Sequence, residues 1–331
     1  MPRSGTFTRR ECLQGIAALA AGRAATSLGR SLNGRATNSP AEFHSPFRVA
    51  VINDEISADF GHVCEVVSRD FGMKWIELRS MWKKNIVALD EKEVAEVKRL
   101  LDKFELKTTD IASPLFKVDW PGAPKSKYSE AKSFGADFRL SQQDEVLERA
   151  IEMAKAFGTD RVRCFDFWRL EDQTPYRSAI NDKLREAAEK AGKKGIVLVL
   201  ENEMACNSAT GAEAAKVLSA VTSPNLMLNW DPGNAAAAGE VPYPDGYNLL
   251  PKDRIGHCHC KDAVKKGKNY DWAPMGGGIV DWAGQFRALK RDGYHFAVSL
   301  ETHWSGGGLP EECSRKSWAG MKKLLAQADA L

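Results

Sequence analysis

Four stretches in the second half of the chain decide the fold: IVLVLENE (196–203), NLMLNWDPGN (225–234), RIGHCHCKDA (254–263) and HFAVSLETH (295–303). Each is an apolar run ending in a carboxylate or a histidine. Side chains alternate faces along a strand. Val197, Val199 and Glu201 therefore share a face, as do Met227, Asn229 and Asp231. His257, His259 and Lys261 form a third such set, and Ala297, Ser299 and Glu301 a fourth. In a closed parallel barrel the C-terminal strand ends surround one cavity. Glu201, Asp231, His259 and Glu301 would then meet there. Charged side chains are seldom buried without a partner. Three carboxylates and one imidazole make an oxygen-rich site for one divalent ion per chain, Mn²⁺ first, with Mg²⁺, Co²⁺ or Zn²⁺ as alternatives. For any one of these residues alone, a local rim salt bridge is the simpler reading. The register of all four favours a shared centre.

Outward from these strands, the chain alternates strand and helix from Phe47 to its end. RVAVINDEI, KWIELRSMW, LKTTDIASPLF and RVRCFDFW read as strands one to four. Helices are expected over about 59–69, 90–104, 141–157, 176–191, 211–219, 282–291 and 310–328, with a short one near 247–250. Asp90, Asp281 and Gly293 supply start and stop signals. Eight strand–helix units in residues 46–331 predict an α/β protein, a single-domain (β/α)₈ barrel, which typically needs about 250 residues. An open doubly wound sheet is the alternative. It binds ligands at one switch point and does not account for sites on four consecutive strand ends. No GxGxxG follows strand one, which speaks against a dinucleotide fold.

The first 45 of the 331 residues differ from the rest. They carry six arginines against two glutamates, a net of +4; against +3 for the whole chain, this leaves residues 46–331 at −1. A nucleic-acid partner needs a concentrated basic face, so none is expected. Thr8-Arg9-Arg10 before the apolar Ile16 to Ala21 resembles a twin-arginine export leader. This predicts a periplasmic or exported protein, with a cytoplasmic one as the alternative. Arg23 interrupts the apolar stretch. No run approaches the roughly 18 apolar residues of a membrane span. Of seven cysteines, six lie in the body without framework spacing, and they read as reduced and buried.

At this point the chain resembles the sugar phosphate isomerase/epimerase superfamily of xylose-isomerase-like TIM barrels, including ketose 3-epimerases and hydroxypyruvate isomerases. The resemblance covers about residues 47–325. It rests on NDEIS with Glu55, IELR with Glu77 and Arg79, LEN at Glu201, NWDPGN at Asp231, HCHCKD at His259 and SLET at Glu301. It implies a metal held by Glu201, Asp231, His259 and Glu301, a small carbohydrate substrate and a homo-oligomer. His259 is preferred to His257 because it precedes the Lys-Asp pair. One position departs from some relatives: Asn234 stands where they carry a histidine, three residues after the aspartate. An amide there can hydrogen-bond a hydroxyl but carries no titrating proton.

Such chemistry removes a proton from a carbon next to a carbonyl and passes through an enediolate. A metal lowers the barrier as a Lewis acid and a carboxylate moves the proton. Glu201 and Glu301 are the candidate acid/base pair. His257, Asn234, Lys261 and Glu77 are candidate substrate contacts. His257 reads equally as a hydrogen-bonded core histidine, Lys261 as a partner of Asp262, and Glu77, with Glu55 and Arg79, as a rim salt bridge. Glycine triplets at 276–278 and 306–308 read as mobile rim loops, since neither contains an arginine or lysine to hold a phosphate. A metal-dependent lyase on oxidised glycosides and a non-catalytic carbohydrate-binding barrel are the alternative functions. An endonuclease of abasic DNA would need a histidine-rich multi-metal centre, and the chain has six histidines.

Overall fold

The structure, a computed structural model, describes residues 44–129, 138–267 and 269–331. The twin-arginine motif, its apolar stretch and Cys12 lie outside these residues.

Eight strands form one parallel sheet: β1 (Arg48–Val51), β2 (Trp75–Leu78), β3 (Lys107–Leu115), β4 (Arg161–Cys164), β5 (Val197–Glu201), β6 (Leu226–Trp230), β7 (Ile255–Cys260) and β8 (Ala297–Leu300). β8 lies between β1 and β7, and the remaining strands follow in sequence order back to β2. A parallel bridge between Ile52 and Glu77 joins the two edges and closes the barrel. The helices following the eight strands are α1 (Phe60–Glu65), α2 (Glu91–Lys103), α3 (Gln143–Phe157), α4 (Arg177–Gly192), α5 (Gly211–Ala220), α6 (Pro232–Ala237), α7 (Trp282–Arg291) and α8 (Pro310–Gln327). The expected TIM barrel is therefore the observed fold.

The helices start where the sequence supplies acceptors. Asp59, Asp90, Thr210, Asp231 and Asp281 each accept a backbone N–H of the following first turn, which satisfies donors that the helix cannot satisfy itself. Outward-facing strand residues such as Val51, Leu198, Leu228, Cys258 and Leu300 pack under these helices in one continuous core. All six body cysteines are buried and free.

The barrel interior is strongly polar. Barrels of this kind are usually filled by branched apolar side chains. Here Glu77, Asp110, Arg163, Asn229, His257 and Ser299 are buried among the strands. Arg161 plugs the lower end: its Nε donates to Gly256 O at 2.9 Å and its guanidinium lies 4.0 Å from the Phe296 ring centroid. So many polar groups leave the apolar work to the helix–sheet layer and reserve the interior for charge organisation.

Several elements differ from the sequence expectation; β1 and β2 end early, at Val51 and Leu78. β4 stops at Cys164 and not at Trp168, because Phe167 takes a left-handed conformation (φ 70°) and turns the chain. β7 is followed by an antiparallel hairpin, Asp262–Lys266 with Asn269–Ala273. Its signal is the alternation of AVKK and NYDWA about a Gly-containing turn. α6 begins directly after the Asp231 strand end. Asp-Pro at its start matches an N-cap followed by proline at the first helical position. Among the described residues no helix is long and apolar enough to cross a membrane.

Candidate functional site

β5 to β8 are neighbours in the sheet, and each delivers one side chain to its C-terminal end. Ligand atoms of Glu201, Asp231, His259 and Glu301 all lie within 4.8 Å of one another. The two glutamates stand on the outer strands of this arc, with Asp231 and His259 between them. His259 Nδ1 faces Glu301 Oε2 at 3.3 Å, Glu201 Oε1 at 3.5 Å and Asp231 Oδ2 at 3.9 Å. These distances exceed those of good charge-assisted hydrogen bonds, about 2.7–2.9 Å. His259 Nδ1 makes no hydrogen bond of ordinary geometry among the described residues, and Asp231 Oδ2 has the Lys261 ammonium as its close neighbour. A buried group of this kind calls for a partner. The donor set, three carboxylates and an imidazole nitrogen converging on one point, fits a divalent cation.

Each ligand is held from behind. Glu201 receives Arg163 Nη1 at 3.1 Å and Asn234 Nδ2 at 3.2 Å. Asp231 Oδ1 caps α6 through the Asn234 N–H at 2.8 Å. Asn202 clamps the Asp231 backbone, accepting its N–H at 2.7 Å and donating to its C=O at 2.8 Å. Glu301 Oε1 receives Arg79 Nη1 at 2.8 Å. Lys261 Nζ sits 2.8 Å from both Asp231 Oδ2 and Glu301 Oε2. Gly233 must be small, because a Cβ there would come within 2.6 Å of the Lys261 carbonyl.

The charges follow from burial and neighbours. Burial works to raise Glu201, but His259 and Arg163 hold it well below the usual carboxylate range. Burial likewise opposes ionisation of Glu301, and Lys261, His303 and His259 outweigh it. Asp231 is pushed up to about 6 by burial, with Lys261 resisting and Glu301 and Glu201 adding repulsion. Burial would lower His259, but Glu77, Glu301 and Glu201 raise it well above its ordinary value. A centre that so favours positive charge on its imidazole is one that favours a cation.

The four candidate substrate contacts fall in different places. Lys261 is at the centre, with the Trp272 ring centroid 4.8 Å from its Nζ. Asn234 reaches Glu201 and the Asn202 carbonyl. Glu77 and His257 sit lower in the barrel, fully buried, Glu77 within 3.0 Å of His259 Nε2. Neither lines a described cavity. Arg79 pairs with Asp54 and Glu55 as well as Glu301, at 2.8–2.9 Å. A cavity of about 340 Å³ beside Glu301 is lined by Glu55, Arg79, Trp272, His303 and Trp304 among others.

The sequence reading passed over Arg163, Asn202 and His303. Two arginines spaced by two in an otherwise apolar strand, and an asparagine directly after a ligand glutamate, were the available signs. His303 takes a left-handed conformation (φ 45°), which a non-glycine residue holds only where its surroundings enforce it. Its N–H donates to Glu55 Oε2 at 3.0 Å and its ring meets Trp272 edge-on.

Asp262 explains the first glycine triplet. Its carboxylate accepts the N–H groups of Ala263, Gly276, Gly278 and Val280 at 3.0–3.2 Å. This nest of donors, suited in principle to a phosphate, is filled by the chain's own carboxylate. Asp262→Ala is expected to destabilise the fold by about 2–4 kcal/mol, since hydrogen bonds to a charged acceptor are each worth roughly 1.5–3 kcal/mol and one partner set is left buried. Chemical denaturation would measure it, and a change under about 0.5 kcal/mol would show that the loop does not depend on this carboxylate.

Among solved structures, the IOLI protein with a binding zinc atom shares 15% identity over 86% of this chain and 100% of its own, with a TM-score of 0.67. The 3-keto-D-glucoside 4-epimerase YcjR from E. coli, in apo form, shares 17% identity over 84% of this chain and 99% of its own, TM-score 0.61. A xylose isomerase-like TIM barrel/4-hydroxyphenylpyruvate dioxygenase fusion protein matches over 85% of this chain at 17% identity and TM-score 0.62, and this chain spans 42% of its length. At such identities the likeness establishes the fold alone. A search of curated proteins finds no match. The model of one family, described as xylose isomerase-like TIM barrel, matches residues 67–324, and on that match, with the closed eight-stranded barrel described above, the chain belongs to this family.

Proposed function

We propose that this protein is a divalent-metal-dependent sugar isomerase or epimerase. The observation that carries the reading is the convergence of Glu201, Asp231, His259 and Glu301 within 4.8 Å at the ends of β5 to β8. The zinc atom bound by the IOLI protein and the 3-keto-D-glucoside 4-epimerase YcjR support it as analogies.

When bound there, a divalent ion supplies Lewis acidity toward a substrate carbonyl and its neighbouring hydroxyl, which acidifies the intervening C–H. The chain's own residues do the rest. Glu201 and Glu301 are ionised near neutral pH and come from strands three apart around the wall, so a substrate lying over Asp231 and His259 has one carboxylate on each side. One takes the carbon-bound proton, leaving an enediolate. Return of a proton to the adjacent carbon, with the hydroxyl proton passing between the two oxygens, isomerises the sugar, and return to the same carbon from the opposite face epimerises it. Lys261, whose ammonium is already among the carboxylates, is placed to donate a hydrogen bond to a developing oxyanion. Trp272 packs beside the Lys261 ammonium and lines the cavity next to Glu301.

Purified protein should contain about one divalent ion per chain, and Mn²⁺ should restore it after chelation. Asp231→Asn should lower the content to a small fraction while leaving circular dichroism unchanged. Wild-type protein that takes up no Mn²⁺, Co²⁺, Mg²⁺ or Zn²⁺ would defeat the reading and leave a carbohydrate-binding barrel. Release of an aglycone from a keto-glycoside, without isomer interconversion, would reassign the chemistry to a lyase.

A further inference from the structure

Beneath the four candidate ligands lies a second, closed set of polar groups: Glu77 from β2, Asn229 from β6, and His257 and His259 from β7. All four are buried. Glu77 Oε1 is 3.0 Å from His259 Nε2 and Glu77 Oε2 is 3.5 Å from His257 Nε2. The Asn229 amide stands between the two rings. As placed, its Oδ1 faces His257 Nδ1 at 3.1 Å and its Nδ2 faces His259 Nε2 at 3.0 Å.

Hydrogen bookkeeping decides which way this set must run. An ionised glutamate only accepts. His259 Nε2, in contact with Glu77, must therefore carry a hydrogen. The Asn229 atom beside that N–H has to be an acceptor, so the amide oxygen belongs there and the amide NH₂ belongs beside His257 Nδ1. A half-turn about the Cβ–Cγ bond exchanges the two ends with almost no change of shape, and the two ends of an amide are assigned only by such networks. His257 Nδ1 then accepts, its hydrogen moves to Nε2, and Nε2 points that hydrogen at Glu77 Oε2. Every contact becomes a donor–acceptor pair. In the other orientation an NH₂ meets an N–H at His259, and a bare His257 Nε2 meets a carboxylate oxygen. The Glu77 Oε2–His257 Nε2 contact, at 3.5 Å, is the longest of the set and not a hydrogen bond of ordinary geometry as placed.

We propose that Glu77, acting with Asn229 and His257, is a positioning residue that fixes a hydrogen on His259 Nε2 and thereby aims the Nδ1 lone pair at the space between Glu201, Asp231 and Glu301. The inference rests on the reading of that space as a metal centre. It gives Glu77 and His257 a role other than substrate contact: they orient a ligand, as outer partners of metal-bound histidines commonly do. The residues involved are specific to this arrangement. A glutamate can accept from both histidines at once, whereas a glutamine must offer an NH₂ to one of them and so confronts an N–H.

The test uses the full-length protein labelled with ¹⁵N-histidine, with and without Zn²⁺, and reads long-range ¹H–¹⁵N spectra. The expected result is His259 carrying hydrogen on Nε2 in both states and bound to Zn²⁺ through Nδ1, with His257 in its Nε2–H form. Glu77→Gln should remain folded by circular dichroism, mix the His257 and His259 tautomers, and bind Zn²⁺ about 10–100-fold more weakly in competition with a chromogenic chelator. Zn²⁺ held through His259 Nε2 in the wild type overturns the proposal. So does a Glu77→Gln variant with unchanged affinity and unchanged tautomers. Should that variant fail to fold, the wild-type spectra decide alone. A wild type that binds no Zn²⁺ removes the metal reading, while the hydrogen positions, read in the same spectra, still confirm or overturn the arrangement around Glu77.

Discussion

Glu301→Gln is expected to lower exchange of the substrate's carbon-bound proton with solvent by about 10²–10⁴-fold or more, the range for loss of a positioned acid–base group. Glu301 serves three partners at once: Oε2 faces Lys261 and His259, and Oε1 faces Arg79. The amide loses the charge that all three cations answer to, removes one oxygen ligand and offers no base. The fold should survive, because Arg79 keeps Asp54 and Glu55 and Lys261 keeps Asp231. Glu301→Asp separates the effects: the charge remains but the reach shortens, so metal content should be largely retained while exchange recovers only in part. The measurement is deuterium incorporation from D₂O, beside metal content by elemental analysis. Full exchange in Glu301→Gln would remove Glu301 from the proton path.

The barrel was legible because eight apolar runs recur with helical segments between them, and because the capping aspartates mark helix starts. The ligand ring was legible for a related reason. Alternation along a strand places Glu201 with Val199 and Asp231 with Asn229, so facing could be read without knowing any distance. What lay beyond the pattern is what depends on which strands are neighbours. Arg79 meets Glu301 across 222 positions of sequence, and Glu77 meets His259 across 182. Both contacts exist only because the barrel closes, β1 pairing with β8 and bridging to β2 at Ile52 and Glu77, so that β2 side chains meet those of β7 and β8 inside it. Glu77 in β2 and Arg79 just past its end are two residues apart and looked alike from sequence. Two residues of rise along the strand, roughly 6–7 Å, take one to the rim carboxylates and leave the other beneath the ligands. Irregular segments hid for a different reason. The left-handed turn at Phe167 and the strained His303 are imposed by their surroundings, and no local propensity announces them.

Asp110 carries the second large effect, and its sign is opposite to that of most buried charges. It lies on β3 with both carboxylate oxygens buried and without a hydrogen-bond partner among the described residues. Burial, reinforced by the ionised Glu77, pushes its pKa up to about 8, with Arg163 the leading opposing charge. In the unfolded chain an aspartate ionises near 3.9. Below that pH both states hold the proton and Asp110 has no influence on folding. Between about 4 and 8 the unfolded chain has lost the proton and the folded chain keeps it, so each unit of rising pH costs up to about 1.4 kcal/mol of stability. Above about 8 the full penalty applies and no longer changes. Asp110→Asn, close in shape and without a titrating proton, should therefore gain on the wild type steadily across this window. Its urea midpoint should be near that of the wild type at pH 4.5 and well above it at pH 8, in samples of matched metal content. Using the difference between the two proteins cancels the titrations they share, including that of His257, whose pKa burial lowers to about 4. The gain at pH 8 should not come with better catalysis, because Asp110 makes no hydrogen bond to the ligand ring and lines none of the described cavities. A stability difference independent of pH would mean that Asp110 is ionised in the folded protein throughout, and that Arg163 and Arg161 compensate it more fully than its missing hydrogen bonds indicate.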